Sequence, residues 1–509
     1  MPLAAQQLPL AAQQLPLAAQ QLPLAAQQLP LAEPFVTARI TASDNAGLGF
    51  TTSGRDLITE VTGGVRFRSE GARVSLFGTV SLDAFAYARR TQANDIVPTV
   101  DLTGRVAAVE RFFFIEGAAR TTQTPIDPFA PGLTATSTQN NATLTQYRLS
   151  PYLQSDPSST LHFRARSDNT TTKDYGQNSA AVDAIDNAYF GFHTISLERD
   201  PVPVGWRLSA ERSETRYQGE LVPVVSDVAR ALLNFAVTDT TRAGLRVGAE
   251  QNNFLVDQSW QSIYGGQFSW RPSERTALDF EAEKRFFGNG VQFVFTHRMP
   301  QLAWDLRASR TLDTTPSSLF TLPPTDNVSA LLDATLTTRI PNPAERATQV
   351  QNIISRQGLP SSTVIGIPIL AQRVSVSENA SLGLSFLGIR NTIALTLFAT
   401  RTRDAVDEGP LATDSAATNN IQQGATIAYA LRVTPTVAAG LIVTGTHIKS
   451  LDTATTAERT NDASVRANLV VQLAPKTTGL LGASQRRLIS NTASSGHETT
   501  VFGGLEHRF

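Results

Sequence analysis

The sequence predicts an all-β fold, a large transmembrane antiparallel β-barrel of about 22 strands with one long insertion. Three observations predict it. Polar and apolar residues alternate along runs of about 9–14 residues, long enough to cross a bilayer when tilted and longer than the usual ~5–6 of soluble strands. These runs are joined by links that are mostly short and long in turn. The last run alternates to the end of the sequence and closes on Phe509.

The alternation has the β period of two. In Thr276–Phe286, Leu278, Phe280, Ala282 and Phe286 share one face, and Asp279, Glu281, Glu283 and Arg285 share the other. Lys284 is the exception on the apolar face, near an end where its amine can snorkel. In Leu302–Ser309, Leu302, Trp304, Leu306 and Ala308 oppose Ala303, Asp305, Arg307 and Ser309. Ala463–Leu473 sets Val465, Ala467, Leu469, Val471 and Leu473 against Ser464, Arg466, Asn468 and Gln472, with Val470 as the apolar intruder. Ile389–Ala399 and Val204–Ser213 repeat the split, with Arg390 opposing Ile393, Leu395 and Leu397, and with Arg207 and Glu211 opposing Trp206 and Leu208. In a lipid-embedded barrel the apolar face looks outward. The expected lumen-lining residues are therefore Arg207, Glu211, Asp279, Glu281, Glu283, Arg285, Asp305, Arg307, Arg390 and Arg466. Both signs of charge are represented, which implies weak ion selectivity.

Short links fall near Ser69–Ala72, Glu110–Arg111, Ser155–Ser158, Asp200–Val202, Thr238–Thr240, Arg271–Glu274, Met299–Pro300, Gly388, Thr434–Pro435 and Pro475–Lys476. Between them lie mostly longer polar stretches such as Thr121–Thr143, Asn169–Asp186 and Arg403–Asn419. Outer-membrane barrels have this asymmetry, with the short turns periplasmic, and an even strand count places both termini there. In the closing strand Val501, Leu505 and Phe509 share one face and Glu506 and Arg508 the other. A terminal Phe on such a strand resembles the signal read by the outer-membrane insertion machinery, although His507 departs from the usual apolar residue.

Residues 313–373 break the hairpin rhythm. Within them Pro343–Gly358 predicts a short helix, with Pro343 in the first turn, Gly358 at the cap, and Val350, Ile353, Ile354 and Gln357 at helical spacing. A second apolar piece follows at Val364–Leu370. Two readings stay open: the segment folds over or into the barrel mouth and narrows it, or it is an extracellular ornament that binds a partner.

The barrel is expected over residues 35–509, after a low-complexity tail at 1–34. The tail repeats PLAAQQL from Pro2, Pro9, Pro16 and Pro23, with a degenerate start at Pro30. A proline in each heptad argues against a coiled coil, so a mobile periplasmic extension is expected. It has neither a basic n-region nor an unbroken apolar h-region, yet Leu-Ala-Ala-Gln is similar to the end of a signal peptide. One reading is a lost or processed start that leaves a short duplication; the other is a repeat-derived tail with no role.

Composition agrees. The 509 residues exceed one soluble domain, hydrophobic residues are 41%, and mean hydropathy is -0.12. A barrel gives such values because only alternate strand residues meet lipid. No apolar run is long enough for a helical span. Net charge is -1, which gives no case for nucleic acid. With Cys 0, disulfides, thiolate metal sites and cysteine nucleophiles are excluded.

Several motifs resemble the PEP-CTERM-system-associated outer-membrane β-barrel proteins of Gram-negative bacteria. They are Ala38-Arg39-Ile40-Thr41-Ala42-Ser43-Asp44-Asn45, Ile126-Asp127-Pro128-Phe129 and Ser150-Pro151-Tyr152-Leu153. Pro341-Asn342-Pro343-Ala344-Glu345-Arg346 with Gly358-Leu359-Pro360, and Gly388-Ile389-Arg390-Asn391-Thr392, complete the set. That family occurs beside exopolysaccharide and exosortase loci, so the resemblance implies an envelope location and a link to polysaccharide export, without a mechanism.

Enzymatic motifs are missing. The histidines (His162, His193, His297, His447, His497, His507) form no metal spacing, and no nucleophile elbow, P-loop or dinucleotide fingerprint occurs. Glu281 and Glu283, two apart on a strand, fit a polar lumen better than acid–base work. No enzyme activity and no cofactor are expected. The expected partners are outer-membrane lipid, the insertion machinery, and polysaccharide-export or other envelope proteins. A channel for polar solutes or polysaccharide is the first functional reading. A non-conducting scaffold barrel is the alternative. A receptor of the TonB-dependent type fits least, since no globular plug of suitable length precedes the barrel.

Overall fold

The computed structural model describes residues 32–49, 54–130, 140–155, 160–174, 187–218, 222–314, 327–363, 374–405, 419–451, 458–491 and 495–509. The N-terminal repeat and the apolar piece Val364–Leu370 lie outside the described residues.

The strands run as follows. The first six are β1 (Ala32–Ser43), β2 (Asp56–Glu70), β3 (Val74–Tyr87), β4 (Asp95–Val109), β5 (Phe113–Thr124) and β6 (Ala142–Gln154). Next come β7 (Leu161–Asp174), β8 (Tyr189–Arg199), β9 (Val204–Arg216), β10 (Val224–Thr238), β11 (Thr241–Asn252) and β12 (Gln261–Ser273). Three more, β13 (Thr276–Arg285), β14 (Gly288–Arg298) and β15 (Leu302–Thr314), precede two helices, α1 (Asn327–Leu336) and α2 (Pro343–Gln357). After the helices come β16 (Val374–Leu387), β17 (Asn391–Asp404), β18 (Asn420–Arg432) and β19 (Val437–Ser450). The last are β20 (Arg459–Ala474), β21 (Thr477–Ser490) and β22 (Gly496–Arg508).

These strands form one 22-stranded sheet. Each pairs antiparallel with its sequence neighbours, as β2 does with β3 and β21 with β22. β1 pairs with β22, Phe35 opposite Arg508 and Ser43 opposite Thr500, so the sheet closes. Closure leaves no open edge, which is the condition for a β-structure in lipid. Phe509 N–H donates to Pro34 C=O (3.0 Å), and its ring meets the His507 ring edge-on at 4.9 Å.

Every connection from an even to an odd strand is short, and β1 starts and β22 ends at that same end of the barrel. We call it the turn end and the other the loop end. One connection breaks the expected rhythm: β13 and β14 are joined at the loop end by 286–287 alone. Phe286 is consequently not on the outer face of β13. It sits past the strand, packed edge-on against Phe254 at 6.0 Å.

Directly paired residues share a face, so the registers carry one face around the whole barrel. The outer face exposes large apolar side chains, among them Leu208, Leu245, Leu306, Leu397, Val465, Leu481, Val501 and Leu505. Aromatics Phe235, Trp270, Trp304 and Phe509 are exposed on it toward the turn end. An apolar band flanked by aromatics is what the lipid boundary selects. No helix among the described residues is long and apolar enough to cross a membrane. The molecule crosses with strands.

Candidate functional site: the charged inner wall and the inserted helices

The inner face is identified by what crosses it. Arg68 on β2 donates to the Thr348 hydroxyl on α2, and Asn468 on β20 donates through Nδ2 to Gly358 C=O (3.2 Å). Such bonds from the wall to the inserted helical segment run through the interior.

From β9 to β13 this face carries a connected ion-pair network. Arg230 donates to Glu211 (2.7 Å) and to both oxygens of Glu283 (2.8 and 3.0 Å). Arg246 reaches Glu281 (3.0 Å) and Glu283 (3.3 Å). Arg285 donates twice to Glu250 (2.6 and 3.0 Å), and Phe286 N–H donates to the other Glu250 oxygen (3.0 Å). Two glycines make the network reachable. Arg246, Gly265 and Glu283 lie in one cross-strand row, and Arg230 pairs with Gly248. With no side chain on the intervening strand, each guanidinium can lie flat across it. A Cβ at Gly265 would fall 2.1 Å from Ala282 O, and one at Gly248 2.3 Å from Ala229 O.

The structure brings Glu211, Glu281, Glu283 and Arg285 together, through Arg230, Arg246 and Glu250, which sequence reading did not single out. A signal existed: Arg246 and Glu250 are four apart on one strand face, with Gly248 between them. Toward the turn end the charges form separate local pairs. Arg207 donates to Glu198 (2.8 Å), Arg271 to Asp279 (2.9 and 3.1 Å), and Arg307 to Asp305 (2.7 and 3.0 Å). Across the barrel, Arg466 stacks on Phe502 at 4.5 Å, and Arg39 lies 6.0 Å from the same ring. Arg390 is not on a strand. It sits exposed in the turn at 388–390, where Gly388 N–H donates to Asn391 C=O (2.8 Å) and Arg432 N–H to Arg390 C=O (2.8 Å). The alternation of Ile389 and Arg390 with the next strand is a turn that happens to match its phase.

Exposure follows height. Near the turn end Arg207 and Asp279 side chains are 44% exposed and Arg307 is 60%. At mid-height Arg230 is 12% and Glu283 11%, and nearer the loop end Glu250 is 0%. The interior on this side is open to solvent at the turn end and occluded toward the loop end.

The insertion occupies the other side. Val328, Leu332 and Leu336 of α1, with Val350 and Ile354 of α2 and Leu359 beyond it, pack on Leu387, Ala394, Ala428 and Ala430 of the wall. Thr335 and Ser385 hydroxyls meet at 2.7 Å, Ser385 also donating to Leu331 C=O (3.0 Å). Arg346 pairs with Asp333 (2.7 Å), tying one helix to the other. α2 begins at Pro343 and ends at Gly358, whose φ of 63° and the Leu359 N–H···O=C Ile354 bond (3.1 Å) form a Schellman cap. Leu387 and Ala430 adjoin the turns at 388–390 and 433–436, so the helices lie deep, at the turn end rather than at the mouth. Between the rims, the inner face of β16–β19 that receives them carries no charged residue.

The mouth is narrowed by other parts. Ala142, Leu144, Ala188, Tyr217, Val224, Phe254 and Val374 form an apolar cluster that joins loop-end positions from β6 to β16. Phe129, after β5, accepts a hydrogen bond from the Thr460 hydroxyl on β20 (2.6 Å) and so straps the loop end. Burial, aided by the nearby Asp127 carboxylate, pushes the Glu458 carboxyl in that strap above its ordinary value. No group of side chains among the described residues is arranged to hold a metal ion.

A closed barrel with an apolar outer face, an aromatic border and a charged interior defines a transmembrane β-barrel of the outer-membrane type. Among solved structures the chain is similar to OccAB1 of Acinetobacter baumannii (TM-score 0.34, 9% identity, covering 94% of this chain and 97% of that one). It is also similar to the outer-membrane protein opdK of Pseudomonas aeruginosa (0.35, 9%, 94% and 99%) and to the siderophore receptor PiuA of Acinetobacter baumannii (0.43, 9%, 94% and 82%). Likeness at this level concerns the barrel alone. No family model and no curated protein matches the chain, so the motifs shared with the PEP-CTERM-associated barrels remain a resemblance.

Proposed function

We propose that this barrel is a constricted channel for polar solutes in the outer membrane of a Gram-negative bacterium. In this reading the loop end faces the cell surface and both termini the periplasm, and the Val501, Leu505, Phe509 face serves the insertion machinery. The charged inner wall lines the path. The observation that carries the reading is the division of the interior. One arc holds charges whose exposure rises to 60% at the turn end, while the uncharged arc is covered by helices. A structure filled only for stability has no reason to leave charged side chains solvated inside. Both signs are present along the path, so discrimination between small cations and anions is weak. The resemblance to exopolysaccharide-associated barrels adds a polar polymer as cargo and export proteins as partners.

Planar-bilayer recording tests this. The full chain gives stable steps with a reversal potential near zero in a salt gradient, and deletion of residues 343–358 enlarges the steps. Silence of both forms overturns the channel. A second reading, a non-conducting scaffold, draws on the apolar closure of the mouth and would be favoured by that silence.

A further inference from the structure

The registers align a row of charges on the outer face at the loop end. Arg310 of β15 pairs with Glu378 of β16, Glu378 with Arg401, Arg401 with Ile421, Ile421 with Lys449, and Lys449 with Arg459. At about 4.8 Å between strands, the row is ~24 Å long measured perpendicular to the strands. Glu378 is taken up by Arg310 (3.3 Å) and by Arg403 (2.7 Å). Arg401, Lys449 and Arg459 have no acidic partner among the described residues. Lys449 and Arg459 are moreover a directly opposed pair of like charge, which destabilises a sheet unless an anion lies between them. Arg401 Nε is enclosed and has no hydrogen-bond partner.

The row marks the edge of the lipid zone. Six positions nearer the turn end on β16, the parallel row reads Leu384, Leu395, Ile427, Val443, Val465, wholly apolar. Between them come small and mixed residues, including the row Ala399, Gln423, His447, Asn461. Cations placed just beyond an apolar band sit at headgroup height, where a charge costs least and meets lipid phosphate.

We infer that Arg401, Lys449 and Arg459 form a binding site for a phosphorylated glycolipid of the outer leaflet. The phosphate oxygens supply the acceptors the row lacks, and the acyl chains lie on the apolar rows below. Guanidinium groups favour such contacts through paired N–H donors. The site rests on the orientation given above, with the loop end at the cell surface.

The test uses the full chain purified in detergent, with bisphosphorylated lipid A and its dephosphorylated form as probes, read by native mass spectrometry. Wild type retains the phosphorylated form at least about tenfold better, a preference that salt weakens. The R401Q/K449Q/R459Q variant loses the preference, while K449R keeps it; heat-modifiable gel migration confirms that both are folded. Equal retention of the two lipids by wild type, or an undiminished preference in the triple variant, overturns the site. An epitope placed at residues 406–418 and labelled on intact cells separates the two claims. Surface labelling without lipid preference sinks the site alone, and labelling only after the outer membrane is opened sinks the orientation with it.

Discussion

Replacing Gly265 with Ala is the sharpest test of how the inner wall is held. The new Cβ would sit 2.1 Å from Ala282 O and 2.7 Å from Glu283 Cα, both backbone atoms that cannot swing aside. β12 and β13 must separate, and the row that lets Arg246 cross to Glu283 closes. Overpacking of this kind costs about 1–3 kcal/mol, and loss of a pair whose side chains are 13% and 11% exposed costs up to about 3–5 kcal/mol. Arg246 retains Glu281, which is 39% exposed, so only part of the second figure applies. The expected net loss is about 3 kcal/mol, a factor of about a hundred in the folding equilibrium. Gly63 is the control, since a Cβ there meets nothing within 4 Å. Urea unfolding from lipid vesicles, followed by Trp fluorescence, gives the two values. If Gly265→Ala is as stable as Gly63→Ala, the glycine gap does not carry the network.

Two further outcomes follow from the insertion and from the strap. Leu332 is fully buried between α1 and the wall, so Leu332→Ala should cost about 2–5 kcal/mol locally. It should raise amide exchange in α1 and α2 and increase single-channel conductance while leaving barrel unfolding unchanged. Faster exchange with unaltered conductance would show that the helices do not obstruct the path. Glu458 has a raised carboxyl pKa in the folded state. Its protonated form therefore favours the strap: that contribution is complete below the ordinary Glu value and is lost as pH rises through the raised one. Protection of residues 125–130, corrected for intrinsic exchange, should fall as pH rises above the ordinary Glu range in wild type and stay level in Glu458→Gln.

The wall was legible because lipid allows so little choice. Alternation in β9, β13, β15, β17 and β20 and the closing strand were all read from side chains one residue apart, and the short links marked the turns. What stayed hidden depends on registers between strands. Arg230, Arg246 and Glu250 gain their role only when β10 to β13 are aligned and Gly248 and Gly265 leave the space. The same holds for Arg390, placed on a strand by phase alone, where the Gly388–Asn391 hydrogen bond instead closes a turn. The helix at Pro343 was signalled by its own caps. Its depth was not, because that is fixed by Ala394, Ala428 and Ala430, small wall residues with no local pattern to mark them as a seat.

The two obstructions differ in how readily they yield. The wall is a continuous ladder of backbone hydrogen bonds and opens only if the barrel does. The mouth is held by an apolar cluster and by isolated bonds, such as Thr460 to Phe129 and Thr215 to Thr314, each worth about 1 kcal/mol net. The helices are held by six apolar side chains and a few polar contacts to an uncharged arc. The helices can move without melting the sheet, since they contribute no strand to it, whereas the mouth closure is carried in part by the strand ends themselves. The network from Arg230 to Glu250 lies between these levels and is anchored on the wall itself. In the proposed channel, a solute entering past the solvated Arg307 would meet fixed charges before the closure of the mouth. On that reading discrimination belongs to the rigid wall and opening to the helices that pack against it.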